Sequence, residues 1–359
     1  MLICEPAFHE YDNGLKSTKF NAEAPTSMKI SLVVPVYNGG EKFLRCLASV
    51  RALDPAPDEF IVVCDDDTDG SRDHARAAGA HVIVQHPNAG PAKARNLGAR
   101  AAAGDVIFFL DADCTVPPDA IAHLRHLFAT NAIDALIGSY DDAPSEPNFL
   151  SQYKNLMHHY VHQTGSAEAF TFWGACGAIQ RALFMRFDGF DERYMRPCIE
   201  DIELGYRLRA GGAHIRLAKD FQIKHLKRWT PRNLFKTDFF DRALPWTALI
   251  MKRGALTNDL NLRSQERLSV GLTGLLLIMI AVSVIGVLFA PTIVAYTLIA
   301  ALVCAAGLLI LNRQVYRFLA RKRGILFMLR AIPWHWFYFF YSGLAYGIGL
   351  IRYKLLSPA

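Results

Sequence analysis

Between residues 268 and 311 this chain contains no Asp, Glu, Lys, Arg or His. As a helix, a run of 44 uncharged residues extends ~66 Å at ~1.5 Å per residue, enough for two crossings of a ~30 Å hydrocarbon layer. Soluble core helices rarely need so long a run. Pro291 is the natural break, which predicts membrane spans at 268–290 and 292–311. A third apolar run, 331–351, is rich in Trp and Tyr and interrupted by His335. It reads as a third span, with a re-entrant or interfacial segment as the alternative.

The net charge of +6 hides a split. Residues 1–223 hold 21 basic and 29 acidic residues, whereas residues 224–359 hold 18 basic and 4 acidic ones. A basic tail suits nucleic acid or an anionic membrane surface. Beside two spans the expected partner is membrane lipid, and nucleic acid is not expected. The 312–330 loop carries six basic residues and no acid, which places it on the cytoplasmic side by the positive-inside rule; the uncharged 289–292 link then lies outside. The body precedes the first span and falls on the cytoplasmic side as well. Residues 1–28 show no apolar signal core or cleavage signature and read as a flexible extension. In the 226–267 segment, Phe235, Phe239, Phe240, Leu244 and Trp246 alternate with Arg232, Lys236, Arg242 and Arg253. That is the composition of helices lying on an anionic leaflet, here with a break expected at Pro245. The seven cysteines form no C-x-x-C pair and read as reduced thiols.

Residues 29–225 alternate between apolar runs and helical spacing. Strands are predicted at 30–36, 60–64, 81–84 and 105–110, with helices at 41–53, 70–78 and 92–103. Strands without period-2 alternation, separated by helices, predict an α/β fold with a parallel sheet covered on both faces. Ligands of such sheets sit at the carboxyl ends of the strands, and here those ends are acidic. Asp65-Asp66-Asp67-Thr68-Asp69 follows the second strand, and Asp111-Ala112-Asp113 follows the fourth. Neither G-x-G-x-x-G after the first strand nor a P-loop pattern is present, so dinucleotide and P-loop chemistry are unsupported. Carboxylates ending a strand suit a hard divalent cation, Mg²⁺ or Mn²⁺, which would neutralise a diphosphate. Asp67 and Asp69 read as helix-capping residues.

Ser31-Leu-Val-Val-Pro-Val-Tyr-Asn38, the 63–71 turn, Asn88-x-Gly90, Ala94-Arg95-Asn96, Phe109-Leu-Asp-Ala-Asp113, Gly189-Phe-Asp-Glu192 and Glu200-Asp-x-Glu-Leu resemble, in order and spacing, the motif series of family-2 inverting glycosyltransferases. The resemblance covers roughly residues 29–225. It implies a GT-A fold (Rossmann-like, mostly parallel sheet with helices on both faces), here followed by an α-helical membrane domain at 268–359. It also implies a nucleotide-sugar site at Pro35, Tyr37, Asn38, Asp65, Arg95, Asp111 and Asp113, with Asp65 at the nucleobase and UDP or GDP as the carrier. Cys64 stands where the family has its first turn aspartate. Asp113 is the main implied metal ligand, beside Asp111 and His225. Asp201 matches the family's catalytic base, and Glu200 orients it or the acceptor; a capping role for Glu200 at a helix start is the alternative. An ordinary carboxylate value near 4 would leave Asp201 ionised at neutral pH.

Glu203 and Arg207 are spaced for an i,i+4 pair. His158 and His162 lack an evident third zinc ligand and read as a surface or acceptor-side face. Lys227-Arg228-Trp229 is similar to part of the processive-synthase pattern, whose remainder is missing. The resulting expectation is a multi-pass protein of a bacterial inner membrane, transferring a sugar to a lipid-linked or polyprenyl-phosphate acceptor. The alternatives are a processive polysaccharide synthase and a catalytically idle membrane scaffold.

Overall fold

The computed structural model describes residues 28–253 and 263–356; the expected N-terminal extension lies almost entirely outside them. In the α/β body, β1 (Ile30–Val36), α1 (Gly40–Arg51), β2 (Glu59–Asp65), α2 (Ser71–Ala77), β3 (His81–Gln85), α3 (Pro91–Ala101) and β4 (Val106–Leu110) alternate as predicted. There follow β5 (Cys114–Thr115), α4 (Ala120–Thr130), β6 (Ala135–Tyr140), α5 (Phe149–Thr164), β7 (Cys176–Gln180), α6 (Arg181–Arg186), α7 (Glu200–Ala210) and β8 (Ile215–His225). All eight strands form one sheet in the order β3-β2-β1-β4-β7-β6-β8-β5.

β3, β2, β1 and β4 run parallel. Their carboxyl ends therefore lie side by side, and the middles of β1, β2 and β4 are apolar and buried because helices cover both faces. All five residues of β4 are buried. The sheet turns mixed at β7, which is antiparallel to both β4 and β6. At the far edge, β5 and β8 pair antiparallel with Cys114 opposite His225. That register brings a residue just after β4 against one more than a hundred positions later.

Beyond β8, α8 (Pro231–Phe235), a π-helix (Lys236–Ala243) and α9 (Leu244–Arg253) form one unbroken helical run. The break expected at Pro245 does not occur. Proline lacks an N–H and its ring crowds the preceding turn; it is accommodated in the first turn of α9, directly after the wider π turns. α10 (Ser264–Phe289) and α11 (Pro291–Leu311) are joined at Ala290, within a residue or four of the predicted spans. Their best windows have mean hydropathies of 2.7 and 2.6, yet only 22% and 17% of those windows is buried. A soluble core helix would be mostly buried, whereas these two present their apolar side chains outward.

The 312–330 loop is instead helical. α12 (Arg313–Arg323) packs Leu319 against Tyr153 and Leu156 of α5, and Arg323 Nε donates to Gln152 Oε1 at 2.8 Å. Of its basic residues, Arg323 and Lys322 reach the α/β body, Lys322 through Asp142. The third apolar run is part of α13 (Ile325–Leu356), one helix of 32 residues with Pro333 inside it. Phe339 of α13 packs with Leu276, Cys304 and Leu308 of the α10–α11 pair.

Candidate active site

The ten residues singled out from sequence converge on two adjoining cavities. Pro35, Tyr37, Asn38, Asp65, Arg95, Asp111 and Asp113 line a pocket of about 830 Å³ over the carboxyl ends of β1, β2 and β4. Arg95, Asp111 and Asp113 also line a second cavity of about 380 Å³, together with Glu200, Asp201 and His225.

In the first pocket, Asp65 is buried. Its carboxylate accepts from the backbone N–H of Ala89 at 2.9 Å and of Gly90 at 2.8 Å, and from Asn88 Nδ2 at 3.0 Å. It pins the turn that leads into α3. Gly90 is required there, since its φ is +88° and a Cβ would stand 2.3 Å from the Met195 carbonyl oxygen. Asn38 Oδ1 accepts from Thr68 N–H at 2.8 Å, while the Tyr37 ring stands 59% exposed at the pocket rim. Asp67 accepts from Arg72 N–H, and Asp69 from Ser71 and Gly40 N–H; both hold the start of α2, in keeping with the capping reading.

Arg95 is buried. Nη2 donates to Asp111 Oδ1 at 2.6 Å and Nη1 to Glu200 Oε1 at 2.9 Å. It is a strut between two acids, so its fork is already engaged at the floor of the first pocket. Glu200 Oε2 in turn accepts from Cys198 N–H at 2.8 Å, a capping bond at the start of α7.

Asp113 Oδ2 lies 3.4 Å from His225 Nε2, and their donor atoms with Cys114 Sγ all lie within 4.8 Å of one another. Asp111 stands outside that cluster, held by Arg95. Burial alone would raise the Asp113 carboxyl, but His225 and Lys227 pull it down to about 2. Beneath the pair, the Cys46 and Cys114 thiols are pushed up by burial and by the Asp113 and Asp111 charges. They stay protonated and do not serve a hard cation. An ionised carboxylate beside an imidazole, in a locally negative field, fits Mg²⁺ or Mn²⁺. Tyr140 stacks on His225 with the rings 4.5 Å apart and 5° from parallel. Cys114 and Tyr140 carry no signal of such a role in the sequence.

Asp201 Oδ2 accepts from Gly174 N–H at 3.1 Å and Oδ1 from Ile202 N–H at 2.8 Å. Burial, and the Glu200 charge beside it, push its carboxyl up to about 6. The ordinary value expected from sequence is thus displaced, because desolvation outweighs the helix terminus and the arginines. Glu203 and Arg207 pair at 2.8 Å. His159 and His162 are buried and His158 is partly so, not a free surface; His158 and His162 pack against Trp173.

A mixed α/β sheet whose parallel strand ends present a carboxylate pair, with a second acid at a helix start alongside, defines a GT-A glycosyltransferase fold. Residues 31–193 match the family described as Glycosyl transferase family 2. The chain is 28% identical over 227 residues to validoxylamine A glucosyltransferase of Streptomyces hygroscopicus subsp. limoneus, covering 53% of this chain and 50% of that protein. It is 26% identical over 228 residues to pre-mycofactocin glycosyltransferase of Mycobacterium tuberculosis, covering 59% and 46%. The chain thus spans about half the length of these curated relatives. A mannosyltransferase from Pyrobaculum calidifontis, solved in complex with GDP-Man and Mn²⁺, shares the fold at a TM-score of 0.55 and 18% identity, covering 89% of this chain and 87% of that one.

Proposed function

We propose that this chain is a membrane-anchored, metal-dependent inverting glycosyltransferase that passes a sugar from a UDP- or GDP-sugar to a hydroxyl of a lipid-linked acceptor. The supporting observation is a succession of shared cavity walls. Arg95, Asp111 and Asp113 belong to both the nucleotide-side pocket and the central cavity. Asp201 and Arg242 belong to both the central cavity and a third chamber of about 180 Å³, walled by residues of α10 and α13. The three spaces thus follow one another from strand ends to apolar helices. The outward apolar faces of α10 and α11 support anchoring, and the basic α12 docked on α5 supports a body on the cytoplasmic side.

In this reading the acceptor hydroxyl oxygen attacks the anomeric carbon as the bond to the nucleoside diphosphate breaks, which inverts the centre. Asp201 takes the hydroxyl proton, and a carboxyl held near 6 is better matched to that task than an ordinary aspartate. Asp113 and His225 would hold the divalent cation, which supplies charge neutralisation at the departing diphosphate. Arg95 and Glu200 fix Asp111 and the start of α7 relative to each other. The test is turnover of a panel of nucleotide sugars by the full chain in detergent, with Mn²⁺ and a membrane lipid extract. Nucleoside diphosphate release that needs both cation and lipid is expected. Failure of every donor to turn over would overturn the reading.

A further inference from the structure

Among the cations lining the central cavity, Arg95, Lys154 and Lys236 are ion-paired within the chain, whereas Arg242 and Lys227 have no contact carboxylate among the described residues. Arg242 borders both the central cavity and the third chamber. Among the described residues no carboxylate lies in hydrogen-bond contact with its guanidinium. The acids that act on it through space are engaged elsewhere. Asp238 is gripped by Lys154 Nζ at 2.6 Å and by the Tyr341 hydroxyl at 2.8 Å, and Asp201 by the two backbone N–H groups named above.

Asp238 and Arg242 lie four apart in the π segment Lys236–Ala243, but Asp238 bonds to Lys154 of α5 and Tyr341 of α13 rather than to Arg242. Such π segments occur frequently at functional sites. Lys227, also in the wall of the central cavity, rests over the Trp229 ring at 4.3 Å and has no anionic contact among the described residues. His158 lines both spaces, and its Nδ1 is buried without a hydrogen-bond partner. Charged and polar groups withdrawn from water without partners are costly. Together they describe a place for an anion. On the far side of Arg242 the third chamber is walled by Tyr153, Met157, Trp246, Trp334, Tyr338 and Tyr341, an aromatic-rich lining that also holds Asp238, Glu266 and His335.

We propose that Arg242, with His158 and Lys227, forms an acceptor subsite that grips the phosphate of a lipid-linked acceptor, with the first carbons of its chain entering the aromatic chamber. The inference rests on the function proposed above and narrows its acceptor to a phosphate-bearing lipid. A planar guanidinium suits a phosphate better than an ammonium does, because its N–H fork matches two oxygens. Asp201 then stands between the lipid phosphate and the nucleotide-side pocket, where a hydroxyl carried on that phosphate would be presented to the donor.

The experiment uses the full chain in detergent and measures binding of farnesyl phosphate, farnesol and inorganic phosphate, with Mn²⁺-dependent binding of a nucleoside diphosphate read separately. Wild type should bind farnesyl phosphate about tenfold or more tighter than either farnesol or inorganic phosphate, the scale of a charge-assisted contact. R242Q should erase the preference over farnesol while nucleotide binding reports an intact fold. R242K, which keeps the charge and loses the fork, should fall between. Should R242Q fail to fold, an R242K protein that binds farnesyl phosphate as tightly as wild type overturns the assignment. So does a wild-type protein indifferent to the phosphate, an R242Q protein that keeps the preference, or inorganic phosphate that binds as tightly as farnesyl phosphate. Loss of nucleotide binding in the wild type would instead sink the broader functional reading and leave this subsite to be judged on the lipid arms.

Discussion

The nucleotide-side pocket and the chamber beneath the helical region are built in opposite ways. In the pocket, acids predominate and are answered locally: Asp65 holds the turn at 88–90, Asp69 the start of α2, Asp111 the strut Arg95. Its pieces come from the ends of neighbouring parallel strands. Around the chamber and the central cavity charges of both signs meet, and Arg242 and Lys227 are left without a contact anion among the described residues. Its pieces come from α5, the π-helix, α10 and α13, which no single sheet holds together. A pocket whose polar groups are satisfied is organised before ligand arrives, whereas a wall of unpaired cations reaches its lowest energy only with an anion bound.

The largest expected effect lies where the two regions meet. Asp201→Asn should lower kcat by ~10²–10⁴-fold, the usual scale for loss of a general base, with donor KM nearly unchanged. Because the Asp201 carboxyl sits near 6, wild-type turnover should rise as pH passes upward through about 6 and Asp201 deprotonates. The variant should lose that acid limb. A loss below tenfold would mean that the attacking oxygen is already ionised, as a phosphate oxygen is, and that Asp201 only positions it. Next comes Asp113→Asn, which tests the pocket alone. Turnover should drop ~10²–10³-fold, comparable to removing one electrostatic contact to the developing charge. Mn²⁺-dependent nucleotide binding, followed by titration calorimetry, should disappear, while farnesyl phosphate binding should persist.

Asp238→Asn disturbs only the other region. Leaving the Lys154 ammonium without its charged partner should destabilise the protein by about 3 kcal/mol, read as a lower Tm. Acceptor KM should rise while nucleotide affinity holds; a change confined to nucleotide affinity would erase the distinction between the two regions. The smallest effect is Gly90→Ala, with a positive φ and the Met195 carbonyl in the way. A strain of ~1–3 kcal/mol is expected, appearing as a raised donor KM with acceptor affinity unaffected.

The same contrast explains what could be read in advance. The pocket was legible because its signals are local: β1 is found at the predicted 30–36, and Asp111 and Asp113 directly follow the buried β4. β6 and β7 were not read as strands, since Gly138 and Gly177 interrupt their short apolar runs, and with them went the antiparallel centre of the sheet. Those glycines make room for neighbours: a Cβ on Gly177 would come within 2.5 Å of the Phe172 ring. His162, expected on a surface or acceptor-side face, is buried, and beside it the His159 ring stacks on Phe318 of α12. Nothing within α5 announces that a helix 150 residues later will cover it. Arg242 was visible only as one more basic residue in an amphipathic stretch, because its lack of a contact anion depends on Lys154 of α5 and Tyr341 of α13 taking Asp238.

The most direct test follows the sugar itself. The full chain in detergent is given a radiolabelled nucleotide sugar that it turns over, together with membrane lipid extract, and the product is partitioned between organic and aqueous phases with Mn²⁺ or with chelator. The expected result is label in the organic phase, present with Mn²⁺, absent with chelator and absent for Asp113→Asn. Label recovered only as water-soluble polymer, or organic-phase label unaffected by chelator, would contradict metal-dependent transfer to a lipid acceptor.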